Sequence, residues 1–261
     1  MIRLAINGAL GRMGRATARL ASETGGFEIA AAIESPASPE LGKDYGTALG
    51  RDPLGVALAA SLAKRVDALV DFSTPEASLA RLAECVKTKS PAVVCTTGFT
   101  GPQRKALAEA AKKIPLLLTA NTSVGVAALL GAAEALARRL GDAYDIEIVE
   151  THHRRKKDAP SGTAEAIAAR LAEATGRTWP DDFTFGRKGN APRSGREIGI
   201  HAVRGGGVVG EHRIIFASED DVIEIVHRAG SRDLFARGAL RAAAFVAGAK
   251  PGLYAMEDAL S

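Results

Sequence analysis

The sequence predicts an α/β protein: a doubly wound parallel sheet, joined to a second α+β domain with a mixed sheet. Three observations point there. Residues 2–34 read as strand, glycine turn, helix, strand and acid, in that order. Strand–helix units then repeat to about residue 140. Beyond them the pattern changes to strands that alternate, with one exposed face, around a single helix. Repeated strand–helix units call for a parallel sheet covered on both faces; alternating strands call for a sheet with one open face.

"IRLAI" (2–6) is a buried strand, and "NGALGRMGRATARLASET" (7–24) is a turn that feeds a helix. Gly8, Gly11 and Gly14 lie within "GALGRMG", spaced G-x-x-G-x-x-G, a small departure from G-x-G-x-x-G. Glycines here let the backbone turn tightly and approach a pyrophosphate seated on the helix N-terminus. Ala9, Leu10 and Met13 complete the turn, and Arg12 adds a charged contact to the phosphate. "FEIAAAI" (27–33) leads to Glu34, 20 residues beyond Gly14. A carboxylate there accepts hydrogen bonds from the ribose hydroxyls of an adenine nucleotide. Each feature alone is weak, and a glycine turn beside an unrelated surface glutamate is the plain alternative. Their order at the head of the chain favours a Rossmann-like dinucleotide site.

Three more units follow. "DALVDFST" (67–74) is a strand and turn, with Pro75 opening the helix "PEASLARLAECVKT". "PAVVCTTGFT" precedes the helix "GPQRKALAEAAKK", and "PLLLTANTSVG" precedes "VAALLGAAEALARRL". Ligands of such sheets sit off the carboxyl ends of the strands. Cys95, Thr96 and Thr97 fall in one such loop, and Thr119, Ala120, Asn121 and Thr122 in another; small polar residues suit the nicotinamide and its ribose.

"YDIEIVETHH" opens the second domain as a strand. A helix at 161–175 and an irregular stretch at 176–195 precede the strands "REIGIHAVR", "GEHRIIFAS" and "DVIEIVHRAG". The Ala-rich helix in "SRDLFARGALRAAAFVAGAK" packs back on the first domain and makes it discontinuous. The expected boundaries are 1–122 with 233–261 for the dinucleotide-binding domain, and 123–232 for substrate binding and oligomerisation. Hinges are expected near 121–125 and 230–233, the domains closing around both ligands.

The segment "ETHHRRKKDAPSGTAEA" (150–166) holds two of the chain's five histidines beside four basic residues. His152 and His153 arrive at a strand end. Ser161 reads as an N-cap, and the backbone N–H groups at Ser161, Gly162 and Thr163 form an anion site. A histidine beside it can donate a proton near neutral pH. Together they suit a small carboxylate substrate. Arg154, Arg155 and Lys157 read better as a solvated charge run. No carboxylate or cysteine set completes a metal site around the histidines. Interleaved aromatics of a nucleic-acid module are missing.

Composition agrees with an enzyme of this kind. The chain has 261 residues, 46% hydrophobic and 25% charged, with a net charge of +4. That charge permits an anionic ligand without demanding nucleic acid. The two cysteines, Cys85 and Cys95, have no metal spacing and suit a reducing compartment. No apolar run is long enough to span a membrane and no signal-peptide pattern opens the chain, so a cytoplasmic protein is expected.

"GALGRMG", "ETHHRRKKDAPSGTA", "GGGVVGEHRIIF", "HRAGSRDLFARGALRAA" and "GLYAMEDAL" occur in that order over nearly the whole chain. In this the sequence resembles the bacterial 4-hydroxy-tetrahydrodipicolinate (dihydrodipicolinate) reductases. The histidine-rich segment ending in Pro-Ser-Gly-Thr is the specific part. The resemblance implies NADH- or NADPH-dependent reduction of a cyclic imine made from pyruvate and aspartate semialdehyde, with hydride delivered to C4, on the route to diaminopimelate and lysine. It implies His152 as proton donor and Lys156 as second catalytic residue. His153, Gly162 and Thr163 would grip the carboxylates of a small dicarboxylate substrate, beside Ser161. Gly8 to Met13, Glu34, the Cys95–Thr97 stretch and the Thr119–Thr122 stretch would line the cofactor. It also implies a homotetramer built through the second sheet, with no resident metal.

Two positions depart from that family. Ser35 stands where an arginine often pairs with a 2′-phosphate, and Cys95 stands where glycine is common. Two other classes share parts of the pattern. An amino-acid or polyol dehydrogenase would share the first domain but lack "HHRRKKDAPSGT". A nucleotide-binding sensor would keep the glycine turn and lose the acid and the anion site.

Overall fold

The first sheet is built on β1 (Ile2–Asn7), whose Leu4, Ala5, Ile6 and Asn7 are all buried. A strand enclosed on both faces must be largely apolar, and Leu4, Ala5 and Ile6 are. The computed structural model describes residues 1–260. On one side of β1 lie β2 (Phe27–Ile33) and the short β3 (Leu58–Ala59). On the other lie β4 (Ala68–Asp71), β5 (Ala92–Val94), β6 (Pro115–Leu118) and β12 (Gly252–Tyr254). Every pairing in this seven-stranded sheet is parallel. The direction of winding reverses between β1 and β4, where the carboxyl ends of the strands open a crevice for ligands.

Helices cover both faces. Ala5, Ile33, Leu69, Ala92, Val94 and Leu116 form one cluster with Leu82 and Cys85 of α3 (Pro75–Thr88) and Leu107, Ala110 and Ala111 of α4 (Gly101–Ala111). Strand alternation sends Leu4, Ile6, Val70, Val93 and Leu117 to the other face. There α1 (Arg12–Thr24) and α7 (Asp233–Gly248) pack against each other and the sheet. Pro75 sits in the first turn of α3, where its missing N–H costs nothing, and Thr74 caps it.

The chain divides into two compact units. One comprises Met1–Val124 with the chain from Asp233 onward; the other is Gly125–Arg232. The second unit has a five-stranded mixed sheet in the order β11 (Val222–Arg228), β10 (Glu211–Ala217), β7 (Asp145–His152), β9 (Ile198–Arg204), β8 (Phe183–Phe185). β10 is antiparallel to both neighbours, and β9 is parallel to both of its own. Ile146, Ile148, Ile198, Ile200, Ile214 and Phe216 turn inward. They pack with Leu129, Ala133 and Ala137 of α5 (Val124–Leu140) and Ile167, Ala168 and Leu171 of α6 (Gly162–Thr175). The opposite face carries no helix of this unit. On it Val203 and Val222 are 46% and 60% exposed.

Besides two short 3₁₀ turns, at Gly141–Ala143 and Glu257–Leu260, four elements go beyond the sequence reading: α2 (Tyr45–Ala48), β3, β8 and β12. β8 lies inside the stretch read as irregular, 176–195. Each has two to four residues, too few to display a period.

Gly238 of α7 lies against the loop after β6. A Cβ built there would meet the Thr122 carbonyl oxygen at 1.6 Å. Gly238→Ala is expected to destabilise the protein by about 2 kcal/mol or more, by overpacking. Urea denaturation of the variant and the wild type measures it.

Candidate functional site

The glycine turn follows β1 directly. Gly8 has φ +75°, and a Cβ on it would meet the Phe72 carbonyl oxygen at 2.7 Å. On Gly14 a Cβ would meet the Gly8 carbonyl oxygen at 2.3 Å, so the helix start is pressed onto the turn. Only glycine fits either place. Gly11 is the N-cap of α1, and no side chain caps the helix there. The amides of Arg12 and Met13 are thus at an uncapped N-terminus, suited to an anion. Arg12 and Gly11 are exposed, Leu10 and Met13 half-buried, and Ala9 is fully buried behind the turn.

Glu34 lies at the end of β2 with its carboxylate folded over this turn. One oxygen accepts from the Leu10 amide and the other from the Ser35 amide, each at 2.9 Å. Each oxygen keeps a further lone pair for a hydroxyl. Beneath the turn, fully buried Tyr45 donates its hydroxyl to the Ala9 carbonyl at 2.8 Å. These close approaches and the bare helix end fit a dinucleotide.

Loops from neighbouring strands are more mixed. Asp71 accepts from Asn7 Nδ2 at 2.6 Å, from Ser73 Oγ at 2.5 Å and from Thr96 Oγ1 at 2.8 Å. Thr122, equally buried, donates its hydroxyl to the Phe235 carbonyl at 2.6 Å. The Thr96 and Thr122 hydroxyls therefore brace their loops. Thr119 Oγ1 is tied to its own loop, donating to the Asn121 carbonyl at 2.8 Å. Thr97 and Ala120 are exposed, and Cys95 and Asn121 are half-buried. Burial pushes the Cys95 thiol well above its usual range, and the Asp71 carboxylate adds to this, so the thiol stays protonated.

The second unit holds a cluster built on β7. Alternation places Glu150 inward with Ile146 and Ile148, and His152 follows on the same face. Glu150 is fully buried, and four donors meet its carboxylate. Oε1 accepts from the Ser161 amide at 3.0 Å and Arg204 Nη2 at 2.6 Å. Oε2 accepts from Arg204 Nη1 at 2.8 Å and pairs with His152 Nδ1 at 2.5 Å. Burial raises the carboxyl pKa, but Arg204 and His152 outweigh it and hold the group below the usual range. His152 is drawn down by burial, and Glu150 opposes that. The far nitrogen of His152, Nε2, faces Gly210, where a Cβ would come within 3.0 Å.

Ser161 joins this cluster to α6. Its side chain accepts from the Ala164 amide, and its Oγ lies 3.1 Å from His212 Nε2. Gly162 and Thr163 occupy the first two helical positions. The structure thus brings His152 and the α6 N-terminus together through Glu150. Lys156 is half-buried and donates to Asp158 Oδ2 at 2.7 Å. His153 is half-buried, and its Nδ1 is enclosed without a hydrogen-bond partner. Arg154, Arg155 and Lys157 are exposed.

Glu150, Arg204, Gly210 and His212 belong to this cluster, and the sequence reading did not single them out. Period-two alternation along "DIEIVE" and "EHRIIF" carries a signal for two of them, because it turns a charged or polar residue inward among isoleucines. Nothing local marks Arg204 or Gly210.

A family model described as dihydrodipicolinate reductase, N-terminus, matches residues 2–122. A second, for the C-terminus of the same enzyme, matches residues 125–260. The chain is 48% identical over 261 residues to a 4-hydroxy-tetrahydrodipicolinate reductase of Rubrobacter xylanophilus, covering 100% of this chain and 99% of the relative. It is 45% identical over 264 residues to the reductase of that name from Anaeromyxobacter dehalogenans, covering 100% and 98%. Among solved structures, the dipicolinate-bound dihydrodipicolinate reductase from Paenisporosarcina sp. TG-14 superposes with a TM-score of 0.79, at 25% identity over 99% of each chain.

The buried His212 ring carries a stability signature. Burial, reinforced by the His152 charge, lowers its pKa from 6.5 to about 4. The unfolded chain protonates this ring below its ordinary pKa while the folded chain resists. Stability is therefore lost as pH falls through that window, by about 3 kcal/mol at its foot. Urea melts at several pH values between about 7 and 4.5 are expected to show the loss in the wild type and a flatter profile in His212→Gln.

Proposed function

The chain belongs to the dihydrodipicolinate reductase family, and on that premise we propose that it reduces 4-hydroxy-tetrahydrodipicolinate to tetrahydrodipicolinate, using NADH or NADPH, on the route to diaminopimelate and lysine. The observation that carries this reading is the pairing of His152 with the N-terminus of α6 through one buried carboxylate. It sets a proton donor beside an anion site. A relative that binds dipicolinate, a dicarboxylate, supports the substrate class. The reading includes a cytoplasmic location.

Loss of the 4-hydroxyl as water leaves a conjugated ring, and a nicotinamide held by the first unit would supply hydride to its C4. Residues of this chain manage charge and proton. The amides of Gly162 and Thr163, at the positive end of α6, hold one carboxylate. Lys156 exchanges Asp158 for the other, and His153 adds a donor. His152 carries the proton at Nε2, because Nδ1 is committed to Glu150, and delivers it to the ring atom where negative charge gathers. Burial disfavours the charged imidazole. Two substrate carboxylates oppose that penalty, so substrate binding is what charges the ring.

The nucleotide is assigned to the first unit: pyrophosphate on the amides of Arg12 and Met13, ribose on Glu34. We further assign the open face of the second sheet, with Val203 and Val222, to subunit contacts in a homotetramer.

His152→Gln is expected to lower kcat by about 10²–10⁴, the usual worth of acid catalysis, with cofactor affinity nearly unchanged. Steady-state rates with enzymatically generated substrate check this. A variant with wild-type kcat removes His152 from the mechanism.

Cofactor choice rests on Glu34 and Ser35. A carboxylate bonds the 2′-OH of NADH and repels the 2′-phosphate of NADPH. No arginine follows it, although exposed Arg12 lies at the turn; Lys43 is paired with Glu40 at 2.9 Å. Comparable use of both cofactors, or a preference for NADH, is expected. Glu34→Ala with Ser35→Arg is expected to shift kcat/KM towards NADPH. A wild-type preference for NADPH of about a hundredfold, or some 2.7 kcal/mol, overturns the assignment.

A further inference from the structure

Every hydrogen bond to the Glu150 carboxylate comes from a donor, and those donors belong to three different parts of the second unit. Arg204, at the end of β9, spans both oxygens. The Ser161 amide reaches Oε1 from just before α6, and His152 Nδ1 lies against Oε2 from the end of β7. With four donors on two oxygens, the carboxylate is saturated. It has no freedom to turn and no surface open to water.

We propose that Glu150 is the positioning residue of the reaction: clamped by Arg204 and the Ser161 amide, it holds His152 as the Nδ1–H form and presents Nε2 as the atom that carries the transferred proton. This rests on the reading of His152 as the proton donor. A histidine ring has two nitrogens, and the partner of one decides the chemistry of the other. An ionised carboxylate can only accept, so Nδ1 must keep its hydrogen. Nε2 is then the site that gains and loses a proton. The same carboxylate holds Ser161, so the donor and the first turn of α6 are registered to each other by one group. Positively charged and titratable neighbours of the ring are Arg204, Lys156 and His212. The His212 ring meets His152 edge-on at 5.2 Å between centroids. Among the described residues, Glu150 is the negative group that offsets them at the ring.

Glutamine at 150 is nearly isosteric but wrong in hydrogen bonding. Its amide nitrogen would face either Arg204 and His152 or Arg204 and the Ser161 amide, donor against donor. Facing His152, it favours the Nε2–H form of the neutral ring. In either orientation the imidazolium loses its counter-charge, so its pKa falls. The protonated ring is the active form for donation. The fall of kcat with rising pH should then begin at lower pH in Glu150→Gln than in the wild type.

Histidine ring nitrogens labelled with ¹⁵N report the form of each ring directly. The chain has five histidines, and His152→Gln assigns the resonance of interest. In the intact wild type the neutral His152 ring is expected to be Nδ1–H; finding Nε2–H overturns the proposal without any variant at position 150. In Glu150→Gln the His152 pKa and the high-pH limb of kcat are expected to fall by about one unit, and kcat at neutral pH by about tenfold or more. Cofactor affinity and the thermal unfolding curve serve as controls. Glu150→Asp keeps the charge and is expected to restore the pH limb in part, which a purely structural role does not produce. An unchanged His152 pKa in a folded Glu150→Gln variant overturns the proposal. Full activity in His152→Gln instead overturns the assignment of the proton donor, and the nitrogen spectra still decide whether Glu150 fixes the ring.

Discussion

One negative charge in the second unit is enclosed by protein on every side. An ionised carboxylate taken out of water costs several kcal/mol unless its lone pairs are met. Glu150 meets that condition only when β7, β9 and the start of α6 are all in place, since each supplies part of its shell. The parallel pairing of β7 with β9 sets His152 opposite Arg204. The antiparallel pairing of β7 with β10 sets Glu150 opposite His212, which in turn reaches Ser161. A slip of one residue in either pairing would turn that strand's contribution, Arg204 or His212, to the outer face. Strand register, helix start and histidine orientation are thus one problem with one solution.

The candidate sites of the two units are built by different means. Around the glycine turn the work is done by backbone: amides, carbonyls and the absence of side chains at Gly8 and Gly14. Glu34 and Tyr45 serve that backbone, one from above and one from beneath. In the second unit the work is done by side chains whose protonation matters, and the backbone contributes mainly the first turn of α6. A binding site for a large, invariant cofactor tolerates the first arrangement. Chemistry on a small substrate requires the second, because proton transfer needs a titratable group in a set orientation.

Much of this was legible in the sequence where neighbours in space are neighbours in the chain. The glycine turn and Glu34 fall within one strand–helix–strand unit. His152 and the Ser161 cap fall within a dozen residues. Legibility ended where contacts cross the sheet: Arg204 lies 54 residues from Glu150, and His212 lies 51 from Ser161. A further gap concerns direction. Thr96 and Thr122 sit in loops at the right ends of their strands, but a hydroxyl in a loop has no period to say whether it faces outward or in. Both face in, to Asp71 and to the Phe235 carbonyl. The short β3, β8 and β12 were missed because two or three residues cannot show alternation, and tertiary pairing defines them instead.

The last strand and the last helix of the chain complete the first sheet. β12 pairs with β6, and α7 packs on β4, β5, β6 and α1. A ribosome makes these pieces after the second unit. The second unit lies between them and is contiguous, so all of its strands and helices exist before the first unit has its full set. Through most of synthesis the face of the first sheet destined for α7 has no cover of its own. Order of completion therefore runs opposite to order of emergence: the unit that begins first is the one that closes last.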